Sequence, residues 1–434
     1  MPRTLGDWLT YIEKLHEKPI DLGLERMREM VSRMGIRFDA PVVTVAGTNG
    51  KGSTCAFVES VFRAAGYRTA MHTSPHLLRF NERALLDGKE VTDDALIAAF
   101  EEVEEAREGL SLSYFEYTGL AILRLFQKAR PDVVILEIGL GGRLDAMNTI
   151  DPDVSVVAAV GVDHTAFLGP TREVIAVEKA HIYRPGRPAI CSDPVPPESL
   201  VAHAERIGAD LRLINRDFSA VPNADGSFVF SFGDLVWHLP QPGLAGANQN
   251  RNAAGALAAV ATLSARLPVT EEAVARGIAA TRITARFELI TESPCPIIID
   301  VGHNPQAAEV LALNLARGRE AGHFDETWAV FGMLTDKDRT KVISTVRPEI
   351  DRWFYAGLPG PRGGSAEDLG SHLAAAGVGE GKRAAFATVR EALNAAREAV
   401  RNEGRGRRIR IIVFGSFVTV GEALEVFAEE GIRR

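Results

Sequence analysis

The chain has 434 residues, more than one hydrophobic core usually serves, so two domains are expected. Charged residues make up 24% and hydrophobic residues 46%, an ordinary globular composition, and a formal net charge of −8 argues against general nucleic-acid binding. Cys55, Cys191 and Cys295 lie far apart with no zinc or disulfide spacing, and no apolar stretch suits a membrane span or signal peptide, so a reducing cytoplasm is expected.

Residues 5–16 and 24–34 predict two short amphipathic helices, separated by Ile20-Asp21-Leu22-Gly23. Val42 to Ala46 is an apolar strand. It breaks into a glycine-rich loop and a helix from about Ser53 to Ala65. A strand over 69–73 follows, and then "SPHLLRFNERALLDGKE", which reads as a polar loop. Thr92-Asp93-Asp94 has the chemistry of a helix N-cap, and "FEYTGLAILRLFQKA" reads as a buried helix that stops before Pro131. "DVVILEIGLGG" and "VSVVAAVGVDH" are continuous apolar runs ending in polar groups, the pattern of parallel strands covered by helices on both faces. A hinge is expected around 283–296. Beyond it "IIIDVGHNP", "TWAVFGMLTDKD", "WFYAGL" and "IRIIVFGSF" restart the alternation as a second, smaller α/β unit. The basic run Arg405 to Arg410 reads as a solvated turn.

The glycine loop comprises Gly47, Thr48, Asn49, Gly50, Lys51, Gly52, Ser53 and Thr54. It misses the usual phosphate-loop pattern at two places: Val45 replaces the first glycine, and Gly52 replaces the hydroxyl residue after the lysine. Its context, strand before and helix after, still suits phosphate. Small residues admit close backbone approach, and a helix N-terminus favours anions. Glu137 ends an apolar strand, where a carboxylate needs a metal or an ion pair, with Arg143 a possible partner by sequence. His164 takes a matching place after another strand and reads as either a packing residue or a ligand. Solvent exposure is the default for Lys179. Asp300, His303 and Asn304 either line a cleft or cap the next helix, and Asn252 and Arg286 alone are unremarkable.

"GTNGKGST", "TSPHLLRFNER", "SYFEYTGLAILRLF", "LEIGLGGRLDAMN", "DHTAFLGPTREVIAVEKAHI", "RFELI", "DVGHNPQAAEVL" and "GMLTDKD" occur in that order. The ordered set resembles the folylpolyglutamate synthase/dihydrofolate synthase family of the Mur ligase superfamily, nearest its bifunctional bacterial members. The resemblance runs from "WLTYIEKLH" to "VFGSF".

It implies an α/β fold: a P-loop, Mur ligase-like N-terminal domain over 1–284 and a smaller Rossmann-like domain over 285–434. It implies an ATP- and Mg2+-dependent amide ligase that joins L-glutamate to dihydropteroate, and to tetrahydrofolate and its derivatives, through an acyl phosphate. Ser74, Glu137 and His164 would hold magnesium, and Lys179 would be carbamylated; Lys51, Lys179 and His164 would serve the chemistry. The glycine loop, Asn252, Arg286 and Asp300 would hold ATP, with His303 and Asn304 in the same cleft. The pterin would sit among Asp21, Leu22 and Gly23, Ser113 to Glu116 (Ser113, Tyr114, Phe115, Glu116), and Leu144, Asp145 and Ala146. Phe115 would stack and Asp145 would accept hydrogen bonds. No nucleic-acid or membrane partner and a monomeric state are expected. Met147, His181 and Gly302 depart from the family's usual residues. Competing readings are a folylpolyglutamate synthase without the dihydropteroate activity, a peptidoglycan Mur ligase, and a P-loop NTPase that ligates nothing.

Overall fold

The computed structural model describes residues 3–18, 21–404 and 406–432. Ile20 and Arg405, each part of a segment discussed above, lie outside the described residues. The chain forms two compact units. One comprises residues 1–161, 168–243 and 250–281; the other comprises 162–167, 244–249 and 282–434.

The first unit is built on eight strands: Val42–Ala46 (β1), Thr69–His72 (β2), Ala84–Leu86 (β3), Lys89–Glu90 (β4), Val133–Glu137 (β5), Val154–Val157 (β6), Pro188–Cys191 (β7) and Asp210–Leu213 (β8). Their order is β4-β3-β2-β5-β1-β6-β7-β8. The six strands from β2 to β8 in that order are parallel, while β3 and β4 add an antiparallel edge. Every residue of β1, β2, β5 and β6 is buried, which explains their unbroken apolar sequence. β3 and β4 fall in the stretch expected to be a loop. Helices Lys51–Ala64 and Glu271–Ala280 approach so closely that a Cβ on Gly277 would lie 2.6 Å from Val61 Cα. The two N-terminal helices, Leu5–Glu13 and Glu25–Arg33, are shorter than their sequence suggests. A separate antiparallel sheet, which sequence reading missed, contains Phe218–Pro222 (β9), Phe228–Phe232 (β10) and Leu235–Leu239 (β11).

The second unit contains Glu288–Thr291 (β12), Ile297–Asp300 (β13), Glu326–Phe331 (β14), Arg352–Ala356 (β15), Arg383–Phe386 (β16) and Ile409–Phe414 (β17), ordered β12-β13-β17-β14-β15-β16. All are parallel except β12, which lies inside the stretch expected to be a hinge. Phe331, Trp353 and Phe414 meet in its core. No helix among the described residues is long and apolar enough to cross a membrane.

Candidate active site

In the first unit, β1 lies between β5 and β6, and Val45 is in register with Glu137. The loop after β1 therefore opens beside the carboxylate that ends β5, the position where parallel sheets collect ligands. Helix Lys51–Ala64 begins two residues before the expected start, and its N-cap is Gly50, at φ +87°. A Cβ there would lie 2.5 Å from Asn252 Oδ1, so only glycine fits this turn. Gly50 offers no side chain to the first-turn amides, which leaves a cradle suited to phosphate oxygens. Thr48 fastens the loop. Its N–H donates to Ala159 O (2.7 Å), and its hydroxyl pairs with Gly161 O (2.9 Å) and Gly161 N–H (3.0 Å). Asn49 bridges to Ala159, and Gly52, Ser53 and Thr54 are buried in the helix.

Lys51 Nζ lies 4.0 Å from Glu137 Oε1 and 3.4 Å from Thr48 O. Glu137 is 5% exposed, and its other oxygen accepts from the Ser74 N–H at 3.2 Å. The ion pair with Arg143 weighed above is absent from this site, because Arg143 pairs with Glu178 at 2.8 Å. Lys179 is not on the surface: it is 3% exposed, and its ammonium donates to Gly47 O at 3.0 Å. Gly142 permits this approach, since a Cβ there would lie 2.6 Å from Glu178 O.

His164 does not sit at a strand end matching Glu137. β6 stops at Val157, and residues 162–167 belong to the other compact unit. His164 takes a left-handed φ of +51°, with Nε2 3.4 Å from Lys337 Nζ. Among the described residues no group of three or more His, Cys, Asp or Glu side chains is arranged to hold a metal.

The expected pterin residues fall into two groups. Ser113 caps helix Tyr114–Ala129 in a capping box with Glu116. Arg26 grips Glu116 (3.0 Å) and Asp21 (2.8 Å), which ties the first helices to that cap; Leu22 and Gly23 are half-buried beside Asp21. Phe115 is half-buried against Gly139, where a Cβ would lie 2.7 Å from its ring, and Asp145 Oδ2 lies near the same point. Asp145 accepts from Leu140 N–H and Met147 N–H, both at 2.9 Å, and burial raises its pKa to about 6. Leu144 is half-buried, whereas Ala146 and Met147 are buried. Met147 packs over Gly119, and His181 stacks on His203 with ring centroids 4.3 Å apart.

In the second unit Asp300 ends β13 and accepts from Phe287 N–H (2.9 Å) and Gly302 N–H (2.7 Å); burial pushes its pKa up. Arg286 lies between two left-handed residues, Ala285 (φ +63°) and Phe287 (φ +49°), a conformation rare outside glycine. Its guanidinium lies 5.7 Å from the Phe417 ring centroid, and the His303 ring lies 6.1 Å from the same aromatic. Asn304 does cap a helix, accepting from Ala307 N–H at 2.9 Å, and also donates to Asp163 at 3.2 Å. Asp163, with Lys337 at 2.7 Å and His303 at 3.6 Å, organises this group. Sequence reading missed Phe417, Lys337 and the role of Asp163. Only the placement of Lys337 in "GMLTDKD", just after a strand, hinted at its importance.

A glycine cradle on a helix N-terminus, an acidic strand end beside it, and a second parallel α/β unit with polar groups at its strand ends define an ATP-dependent ligase of the Mur class. Residues 45–191 match the Mur ligase middle domain, and residues 285–417 match the Mur ligase glutamate ligase domain. Within that class the chain belongs to the dihydrofolate synthase/folylpolyglutamate synthase family. It is 43% identical to the Escherichia coli dihydrofolate synthase/folylpolyglutamate synthase, across 97% of this chain and 95% of that one. It is 36% identical to the Haemophilus influenzae protein of the same name, across 96% of each. The solved E. coli FolC in complex with DHPP and ADP superposes with a TM-score of 0.90 at 41% identity, covering 99% of both chains. The Yersinia pestis bifunctional folylpolyglutamate synthase/dihydrofolate synthase complexed with AMPPNP and a Mn ion gives 0.88 at 37% identity, covering 98% of both.

Proposed function

We propose that this ligase joins L-glutamate to dihydropteroate, giving dihydrofolate, and adds further glutamates to tetrahydrofolate and its derivatives. The observation that carries this reading is the meeting of Lys51, Glu137 and Ser74 at the ends of neighbouring strands, in the unit that also holds Phe115 and Asp145. A carboxylate becomes a good electrophile only when its oxygen carries a phosphoryl group. In the proposed reaction the carboxylate attacks the γ-phosphorus of ATP and ADP leaves. The amine of glutamate then attacks the acyl carbon and expels phosphate, and the amine loses its proton. Such transfers need positioning and charge neutralisation more than covalent help from the protein.

The residues fit ATP. The Gly50 turn tolerates no side chain, no N-cap side chain occupies the first-turn amides, and Lys51 begins that helix with a flexible cation. The oxygens of Glu137 and Ser74 suit Mg2+, which commonly takes one or two protein ligands and completes its shell with water and substrate phosphates. Bound there, Mg2+ would offset phosphate charge. We extend its binding set to His164, and assign Asn252, Arg286 and Asp300 to the nucleotide and His303 and Asn304 to the same chemistry. Asp21 to Gly23, Ser113 to Glu116 and Leu144 to Ala146 are assigned to the pterin. A carbamate on Lys179 would turn the buried cation beside Gly47 into an anion suited to a metal site. We assign the glutamate-ligase role to residues 285–434 and ATP and pterin binding to 1–284. We expect a cytoplasmic monomer without nucleic-acid or membrane partners, and the three buried free cysteines suit a reducing compartment.

The test is ADP release measured with dihydropteroate, tetrahydrofolate and glutamate in all combinations. Release should require a pterin and glutamate together, with either pterin accepted. Release with neither would establish an NTPase instead. Release with tetrahydrofolate alone as pterin would reduce the activity to folylpolyglutamate synthesis.

A further inference from the structure

Arg83 is a half-buried cation outside both the glycine loop and the pterin residues. It ends the short helical turn Phe80–Arg83. Its backbone is fixed to the exit of β2: its carbonyl accepts from His72 Nδ1 (2.8 Å) and from Thr73 N–H (3.3 Å), the residue before Ser74. Its guanidinium carbon lies 5.4 Å from the Phe80 ring centroid and 5.7 Å from that of Tyr114, and Nε donates to His76 Nδ1 at 2.8 Å. The side chain therefore stands against Phe80, His76 and Tyr114, the neighbour of Phe115, and within reach of the Glu137 charge, while its backbone is tied to the segment that leads into Ser74.

Among the described residues no carboxylate forms an ion pair with it. The two acids that pull on it are engaged elsewhere. Glu82 accepts from the N–H groups of Leu77 (2.7 Å), Leu78 (2.8 Å) and Arg79 (2.8 Å). Glu137 faces Lys51 and Ser74. Aromatic faces return only part of what a cation loses on leaving water. Burial accordingly draws the Arg83 pKa down. An arginine held without a counter-ion by rings and one imidazole is preorganised for an anion, and its fork matches a carboxylate or phosphate with two parallel hydrogen bonds.

We propose that Arg83 holds the reacting carboxylate of dihydropteroate, and then the acyl phosphate formed from it, between the pterin residues and the phosphate loop. This rests on the proposed function. The substrate carboxylate must extend from a pterin near Phe115 towards phosphates near Lys51 and Ser74, and Arg83 is the cation beside that route. Its two terminal nitrogens would orient one carboxylate oxygen for attack on phosphorus and then offset the added charge of the acyl phosphate.

The test compares Arg83→Met and Arg83→Lys with the wild type, using two probes: dihydropteroate, and the matching anilinomethyl dihydropterin that lacks the carboxylate. The wild type should bind dihydropteroate at least tenfold more tightly than the carboxylate-free probe. Arg83→Met should erase that difference, leave the affinity for the carboxylate-free probe and for ADP within twofold, and lower kcat at least a hundredfold. Arg83→Lys, which keeps the charge but loses the fork, should fall between. Equal loss of both probes in Arg83→Met and Arg83→Lys, or an unchanged preference in both, would overturn the assignment. Failure of the wild type to bind either probe would instead overturn the proposed function.

Discussion

Lys51 and Lys179 have the same side chain, both point at the glycine loop, and they should respond differently to the same substitution. Lys51 keeps contact with solvent and, among the described residues, makes long contacts, 3.4 Å to Thr48 O and 4.0 Å to Glu137. Lys51→Ala should therefore abolish turnover while changing unfolding free energy by no more than about 0.5 kcal/mol. Lys179 is buried and donates to Gly47 O at 3.0 Å. Lys179→Ala leaves that carbonyl unsatisfied and opens a void, so it should lose turnover and also about 2–3 kcal/mol of stability. Steady-state rates and urea unfolding of the two variants check the contrast; a Lys179→Ala protein as stable as the wild type would place this amine in solvent. The difference was not legible in the sequence, where both lysines follow ordinary patterns. Burial of Lys179 depends on the close approach of Gly142 to its helix, a contact made by residues distant in the chain. The glycine loop between a strand and a helix was legible because the three are contiguous.

At the scale of elements, the entry of helix Lys51–Ala64 depends on one backbone conformation. Gly50 has φ +87°, costly for any residue with a Cβ, and Asn252 Oδ1 fills the space that a Cβ would need. Gly50→Ala should destabilise the fold by about 1–3 kcal/mol and weaken ADP binding at least tenfold, measured by calorimetry. The control Gly66→Ala also has positive φ, but nothing lies near its missing Cβ. It should lose stability and retain ADP affinity. Equal ADP affinity in both variants would remove Gly50 from the cradle. The long apolar strands were legible for the same reason that they are buried: β1 and β5 lie inside the sheet and need no polar face. β3 and β4 were hidden because three and two residues are too few to show an alternation. The β10–β11 hairpin did have a signal: "FVFSF", Gly-Asp and "LVWHL" alternate around a turn, with Phe228, Phe230, Trp237 and Leu239 buried.

Across the whole molecule, the compact units do not follow a single cut in the sequence. A boundary at 284/285 leaves Asp163 on the N-terminal side, whereas the structure groups residues 162–167 with 282–434. Local pattern cannot reveal such an excursion, because the partners of Asp163, namely Lys337, His303 and Asn304, lie far along the chain. Asp163 receives Lys337 Nζ at 2.7 Å, and the two side chains are 9% and 5% exposed. The hydrogen bond from His303 and then the charge of Lys337 hold the Asp163 carboxylate well below the usual range despite its burial. Asp163→Asn keeps the shape of the side chain and removes its charge, which leaves the Lys337 ammonium buried beside a neutral amide. That should cost the second unit about 3–5 kcal/mol. Lys337→Met alone strands the opposite charge and should also destabilise. The double variant Asp163→Asn/Lys337→Met contains neither buried charge and should recover most of the loss, a coupling of about 2 kcal/mol or more in a double-mutant cycle. Stability is the right readout because substitution beside His164 would change activity whether or not the pair supports the fold. Additive losses would mean that the two charges are separately solvated, and that this pair is not what holds residues 162–167 with the C-terminal unit.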